Sequence, residues 1–160
     1  MYIFALNLES MNRFPFIPEG LGVLSGDHLK SVSDLGIPMN GISLLYREGY
    51  FRQRISDTGE QSEIFEKVTP EDFPLTRVKD ENENPLTIDI QIQEETVQIA
   101  PWIAQLGRIP LYFLDMQKTF RKLGFQEVGL RLYGGDETVR LAQEMILGIG
   151  GMRLINRLSI

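Results

Sequence analysis

Apolar positions along this chain change period several times, and each change marks an element. Ile3 to Leu8 is a mostly apolar run and predicts a buried strand. A loop with Asn12, Arg13, Pro15 and Pro18 follows it. Leu21, Leu24, His28, Val32 and Leu35 then recur at spacings of three and four, the period of one helix face. Gly36 stops that helix and Pro38 keeps it stopped. Ile42 to Tyr46 is a second apolar run. Strand, loop, helix, strand predicts a βαβ start to a parallel sheet. A right-handed crossover then puts the helix N-terminus at the carboxyl edge of the strands, where open α/β sheets bind ligands.

Arg47 to Ile55 mixes aromatic and basic residues, Tyr50, Phe51, Arg52 and Arg54, with Gly49 read as a turn. It predicts a solvated hairpin, with a sugar-stacking surface as the functional alternative. Asp57 to Pro85 is polar, with Gly59, Pro70, Pro74 and an acidic run near Glu81, and predicts loops with little core. Leu86, Ile88, Ile90 and Ile92 alternate with Thr87, Asp89, Gln91 and Gln93. Thr96 to Trp102 continues after Glu94-Glu95, so the two runs predict a half-exposed antiparallel hairpin. Ile109 to Met116 is apolar except for Asp115 and predicts a central strand. Glu137 to Leu158 has helical spacing through Val139, Leu141, Ala142, Met145, Ile146, Ile149, Met152 and Ile155. Gly148, Gly150 and Gly151 weaken helix propensity there, which marks them as sites of close packing.

Composition narrows the function. The 160 residues are one domain's worth of chain, residues 1–160. A net charge of −6 argues against a nucleic-acid partner, which needs a basic face. No run has transmembrane length, so no membrane partner is expected, and Met1 to Leu6 is too short for a secretory signal. A cytoplasmic protein is the expectation. The absence of cysteine excludes disulfides and thiol catalysis, and a single histidine excludes His-rich zinc sites. No metal site is expected.

Two places offer chemistry. Gly20-Leu21-Gly22 is a tight turn feeding a helix, and presents free N–H groups and a positive dipole end to a phosphate or a sugar oxygen. Asp136 and Glu137 follow Gly134-Gly135 at the opening of the last helix. There an acid caps the helix, or the loop offers a carboxylate to sugar hydroxyls. His28 reads as a half-buried, hydrogen-bonded residue, with substrate contact as its alternative. No Ser-His-Asp, nucleotide or metal motif stands out, and no catalytic residue is assigned.

The stretch from Gly20 to Arg54, GLGVLSGDHLKSVSDLGIPMNGISLLYREGYFRQR, resembles the α-glucan (glycogen, starch and maltodextrin) phosphorylase family, most of all its shorter bacterial and archaeal type. Two further segments match in order, LGRIPLYFLDM at Leu106 to Met116 and RLYGGDETVRLAQEMILGIGG at Arg131 to Gly151. The resemblance implies an α/β fold, the Rossmann-like N-terminal portion of a GT-B glycosyltransferase, here with an antiparallel hairpin excursion. It implies phosphorolysis of an α-1,4-glucan to glucose 1-phosphate, with glucan and phosphate as partners. Pyridoxal phosphate is held in that family as a Schiff base to a lysine of the C-terminal domain, and no lysine here lies in a matching motif. The cofactor is therefore not expected on this chain alone. By position the phosphate- and glucose-facing role falls on Gly20 and Leu21, with Gly22 keeping the turn tight, and the glucose border on Asp136 and Glu137.

This chain also departs from the family pattern. Glu19 precedes Gly20 where the family usually has a second glycine, and a carboxylate beside a phosphate is repulsive. Asn7 lies in Ala5-Leu6-Asn7-Leu8, where the family has a glutamate-bearing cleft motif. A chain of this length is expected to be an incomplete active site, with the C-terminal cofactor-binding domain absent. Its exposed interface would then meet that domain or self-associate. The alternative is a non-catalytic carbohydrate-binding or regulatory paralogue. A sugar-nucleotide glycosyltransferase of similar architecture is a weaker alternative, since Phe16 to Glu19 lacks the lysine of its usual glycine loop.

Overall fold

The computed structural model describes residues 2–5, 20–116 and 135–160. The predicted first strand beyond Ala5, the loop up to Glu19 and the segment 117–134 lie outside the described residues. In chain order the elements are β1 (Tyr2–Ala5), α1 (Gly20–Asp34), β2 (Met39–Leu44), β3 (Glu48–Ile55), β4 (Gln61–Lys67), β5 (Thr76–Arg77), β6 (Ile88–Ile92), β7 (Glu95–Leu106), β8 (Ile109–Asp115), α2 (Glu137–Met145) and α3 (Gly151–Leu158). One π-helical turn, Ile146–Gly150, joins α2 to α3.

The βαβ opening forms as its pattern predicts. β1 runs parallel to β2, with Phe4 opposite Gly41, and β2 runs parallel to β8, with Ser43 opposite Phe113. The antiparallel β7 closes the other side of β8, with Trp102 opposite Phe113. The path is β1-β2-β8-β7-β5, and β6 pairs with the first half of β7. The sheet is thus mixed, and β8 is central as expected from its apolar run. The β6–β7 hairpin alternates as its sequence does, with Ile88, Ile90, Ile92, Val97 and Ile99 buried.

Helices cover both faces. Ile42, Leu44, Tyr112 and Leu114 pack with Val139, Ala142, Ile146, Leu154 and Ile155 of the last helical stretch. Leu45, Leu111, Phe113 and Trp102 pack with Leu29 and Val32 of α1. The alternation of β2 and β8 residues between these two clusters is the period-two geometry of a strand buried on both sides.

Four expectations need correction. In α1 the inward face is Gly26, Leu29, Val32 and Ser33, while Leu24 and Leu35 are exposed and His28 is exposed rather than half-buried. Two neighbouring stripes fit the spacing of α1, and close approach decided between them. Ser33 Oγ accepts from the Arg108 amide at 2.9 Å, beside a Gly107 whose φ is +58°. Second, Gly49 lies inside β3, and the β3–β4 hairpin turns at Gly59, where φ is +82°. Third, the polar stretch after Asp57 is not core-poor loop, because it holds β4 and β5 and buries Val68 and Val78. In the last helix, finally, Leu141, Ile149 and Met152 of the predicted stripe are exposed. Of the glycines there, Gly150 is closely packed, a Cβ at Gly151 would make only ordinary contact with Ile42 at 3.5 Å, and Gly148 has open space.

Candidate functional site at the carboxyl edge of the sheet

The direction of α1 follows from its ends. Its C-terminus closes with Gly36 at φ +66°, the Ile37 amide donating to Val32 O and the Gly36 amide to Ser33 O. Ser33 also meets Arg108, at the start of β8, so this end of α1 lies at the amino edge of the sheet. At ~1.5 Å per residue a fifteen-residue helix reaches about the length of a seven-residue strand, ~3.3 Å per residue. The Gly20 end of α1 therefore lies toward the carboxyl edge, its first N–H groups unused by the helix.

Asp136 holds the N-cap of α2. Its backbone is extended, and its carboxylate accepts from the Val139 amide at 3.0 Å. The preceding Gly135 has φ +80°, and a Cβ there would meet the Val139 side chain at 2.6 Å. Glu137 is exposed in the first turn, where its charge complements the helix dipole. Because α1 and α2 cover opposite faces, a ligand common to Gly20 and Asp136 has to reach round the end of the sheet.

Sequence reading missed the polar cluster that ends the central strand. Asp115, the last residue of β8, is only 6% exposed. Its Oδ2 accepts from Arg47 Nη2 at 2.7 Å and from Trp102 Nε1 at 3.1 Å. Arg77 Nη1 stands 4.0 Å from the same oxygen and donates to Ala100 O at 3.2 Å. The Arg77 guanidinium lies over the Trp102 ring, 4.6 Å from its centroid. Arg47 also donates from Nη1 to Val68 O at 3.4 Å, tying the base of the β3–β4 hairpin to the sheet. These residues, with Glu71, Gln98 and Ala100, line a cavity of about 240 Å³. Two signals were present in the chain: an acid closing an otherwise apolar strand, and an arginine directly after the apolar run of β2.

No family model matches the chain. Individual proteins do. It is 40% identical to the glycogen phosphorylase of Mycobacterium tuberculosis over 153 residues, 95% of this chain and 18% of that protein. It is 40% identical to the maltodextrin phosphorylase of Thermococcus litoralis over 146 residues, 91% of this chain and 18% of the relative. The glycogen phosphorylase of Aquifex aeolicus is 35% identical over 141 residues, 88% of this chain and 20% of the relative.

The curated relatives that the chain matches are glycogen and maltodextrin phosphorylases. The chain matches an N-terminal segment and spans about a fifth of their length. Among the described residues, no helix is long and apolar enough to cross a membrane, and no cluster of acids and histidine is placed to hold a metal ion. Asp115 and Met116 close one of the three blocks that carried the resemblance, so the buried cluster lies within a phosphorylase-like stretch.

Proposed function

We propose that this chain is the N-terminal portion of an α-1,4-glucan phosphorylase, forming the Rossmann-like part of one half of a GT-B cleft. The observation that carries the reading is 40% identity to a glycogen phosphorylase along 95% of the chain. The parallel β1-α1-β2 unit supports it, because it aims the Gly20 end of α1 at the edge where such folds bind ligands. In the complete enzyme the amides of Gly20, Leu21 and Gly22 donate to phosphate and glucose oxygens, and the absence of a Cβ at Gly20 and Gly22 permits the approach. One oxygen of Asp136 is taken by the Val139 amide, and the other, with Glu137, borders the glucose.

Pyridoxal phosphate has no fitting anchor among the described lysines. An imine-forming lysine is desolvated so that its amine is neutral near pH 7. Lys30, Lys67 and Lys79 are all exposed, with Lys30 paired to Asp27 and Lys79 to Glu83. The cofactor's site is assigned to the other half of the cleft.

Glu19 favours a second reading, a carbohydrate-binding or regulatory paralogue without catalysis. Glu19 directly precedes the N-terminus of α1, where the phosphate is proposed to bind. The test is glucose 1-phosphate formation from maltodextrin, phosphate and pyridoxal phosphate by the product of the whole reading frame. The phosphorylase reading expects turnover that falls by about a hundredfold or more in Gly20→Asp, in line with the loss of an oxyanion-binding donor set. Maltodextrin binding without any glucose 1-phosphate would select the paralogue instead.

A further inference from the structure

We propose that the cavity between Arg47, Arg77 and Trp102 is a binding site for a small oxyanion, a phosphate or a carboxylate, separate from the Gly20 end of α1. The inference does not rest on the phosphorylase reading. It rests on a surplus of N–H donors around one buried carboxylate.

Two guanidiniums face one buried carboxylate there. Arg47 and Arg77 have side chains only 15% and 28% exposed, while Asp115 is the acid inside. Arg47 engages Asp115 at 2.7 Å, which leaves Arg77, at 4.0 Å, the weaker partner of the same oxygen. The second acid of the lining, Glu71, is exposed at the rim, where water and salt screen it. With Glu71 the lining is formally neutral, two arginines and two acids, but the two guanidiniums share the single buried carboxylate.

The donors are in excess. A guanidinium has five N–H groups and no acceptor. Arg47 Nε is buried and has no hydrogen-bond partner among the described residues. Arg77 is held by Ala100 O on one nitrogen and by the Trp102 face, so its remaining N–H groups are oriented without being used among the described residues. A buried, unsatisfied donor is destabilising, and an oxyanion with several lone pairs relieves it better than a neutral ligand. The cavity, about 240 Å³, has room for such an anion and part of its hydration, since a water occupies ~30 Å³ of liquid. Its position fits too. Asp115 ends a parallel strand and Arg47 follows the end of another, so the cavity opens at the carboxyl edge of the sheet.

Trp102 is the chain's single tryptophan and lines this cavity, so its fluorescence reports on the site without labelling. The experiment titrates the 160-residue protein with inorganic phosphate, sulfate and acetate at constant ionic strength, against chloride. A saturable change in Trp102 emission is expected with at least one oxyanion and not with chloride. Response to phosphate and sulfate assigns a tetrahedral anion, and response to acetate alone assigns a carboxylate. Arg77→Gln should weaken the binding by about tenfold or more, or ~1.4 kcal/mol. Glu71→Gln removes a rim acid from a surface position, keeps the fold, and should tighten it. An emission that follows ionic strength alone, or a titration unchanged in both variants, overturns the proposal.

Discussion

Asp115 shows how much one residue can decide. Among the described residues it is the only acid with a buried side chain, and its partners come from β5, from β7 and from the segment that follows β2. Removing one partner of a buried pair strands the other, which costs about 3–5 kcal/mol. Asp115→Ala should lower stability by that order in urea unfolding, more than Arg77→Gln does, because Arg47 is the more tightly engaged cation. A smaller effect is expected at the opening of α2. Asp136→Ala loses the cap on the Val139 amide and should cost about 1 kcal/mol, whereas Asp136→Asn should cost little, since asparagine caps nearly as well. Asp136 was legible from its place before a helical pattern. Asp115 was visible as a residue, but its role was not, because a strand-ending acid acquires meaning only from the arginines that tertiary structure brings to it.

Glycines in the last helical stretch separate two kinds of element. A methyl added at Gly150 would lie 2.6 Å from Ile99 Cδ1, so Gly150→Ala should destabilise by about 1–3 kcal/mol through overpacking against β7. A methyl added at Gly148 would have nothing within 4 Å, so Gly148→Ala should stabilise by about 0.5–1 kcal/mol through helix propensity alone. Parallel urea titrations of the two variants check the opposite signs. The same stretch explains why the helix was legible and its inward face only partly so. Helical spacing is a property of the chain, but Leu141, Ile149 and Met152 turn outward because the sheet below accepts a narrower stripe. The β3–β4 hairpin teaches a related lesson. Its turn at Gly59 was hidden because its strands are rich in polar residues, and the alternation that marks β6 and β7 is missing there.

For the whole molecule, two expectations follow from burial. Tyr112 lies in the core beneath the last helical stretch, and burial pushes its phenol above the usual value of about 10. Once pH passes the unfolded value, the unfolded chain loses this proton while the folded chain keeps it. Stability is therefore undiminished below that point and falls as pH rises through it. Thermal unfolding between neutral and strongly alkaline pH should show this loss, and Tyr112→Phe should remove part of it. The second expectation concerns the outward apolar residues. Met152 and Leu147, with Gly148 and Gly151, line a cavity of about 340 Å³ beside the exposed Ile149. We expect the isolated chain to self-associate through exposed apolar surface of this kind. Light scattering that found a monomer with a sharp, reversible melt would count against it.

By itself the sequence determined the parallel β1-α1-β2 opening, the β6–β7 hairpin, the central β8, the last helix and the kinship with phosphorylases. Each rests on local periodicity or on ordered blocks of residues, and both are written along the chain. Tertiary structure alone decided which stripe of α1 faces inward, where the polar hairpin turns, and that Asp115 gathers Arg47, Arg77 and Trp102 from three separate segments. Those outcomes depend on non-local contacts and on the desolvation they impose, and a linear pattern carries neither.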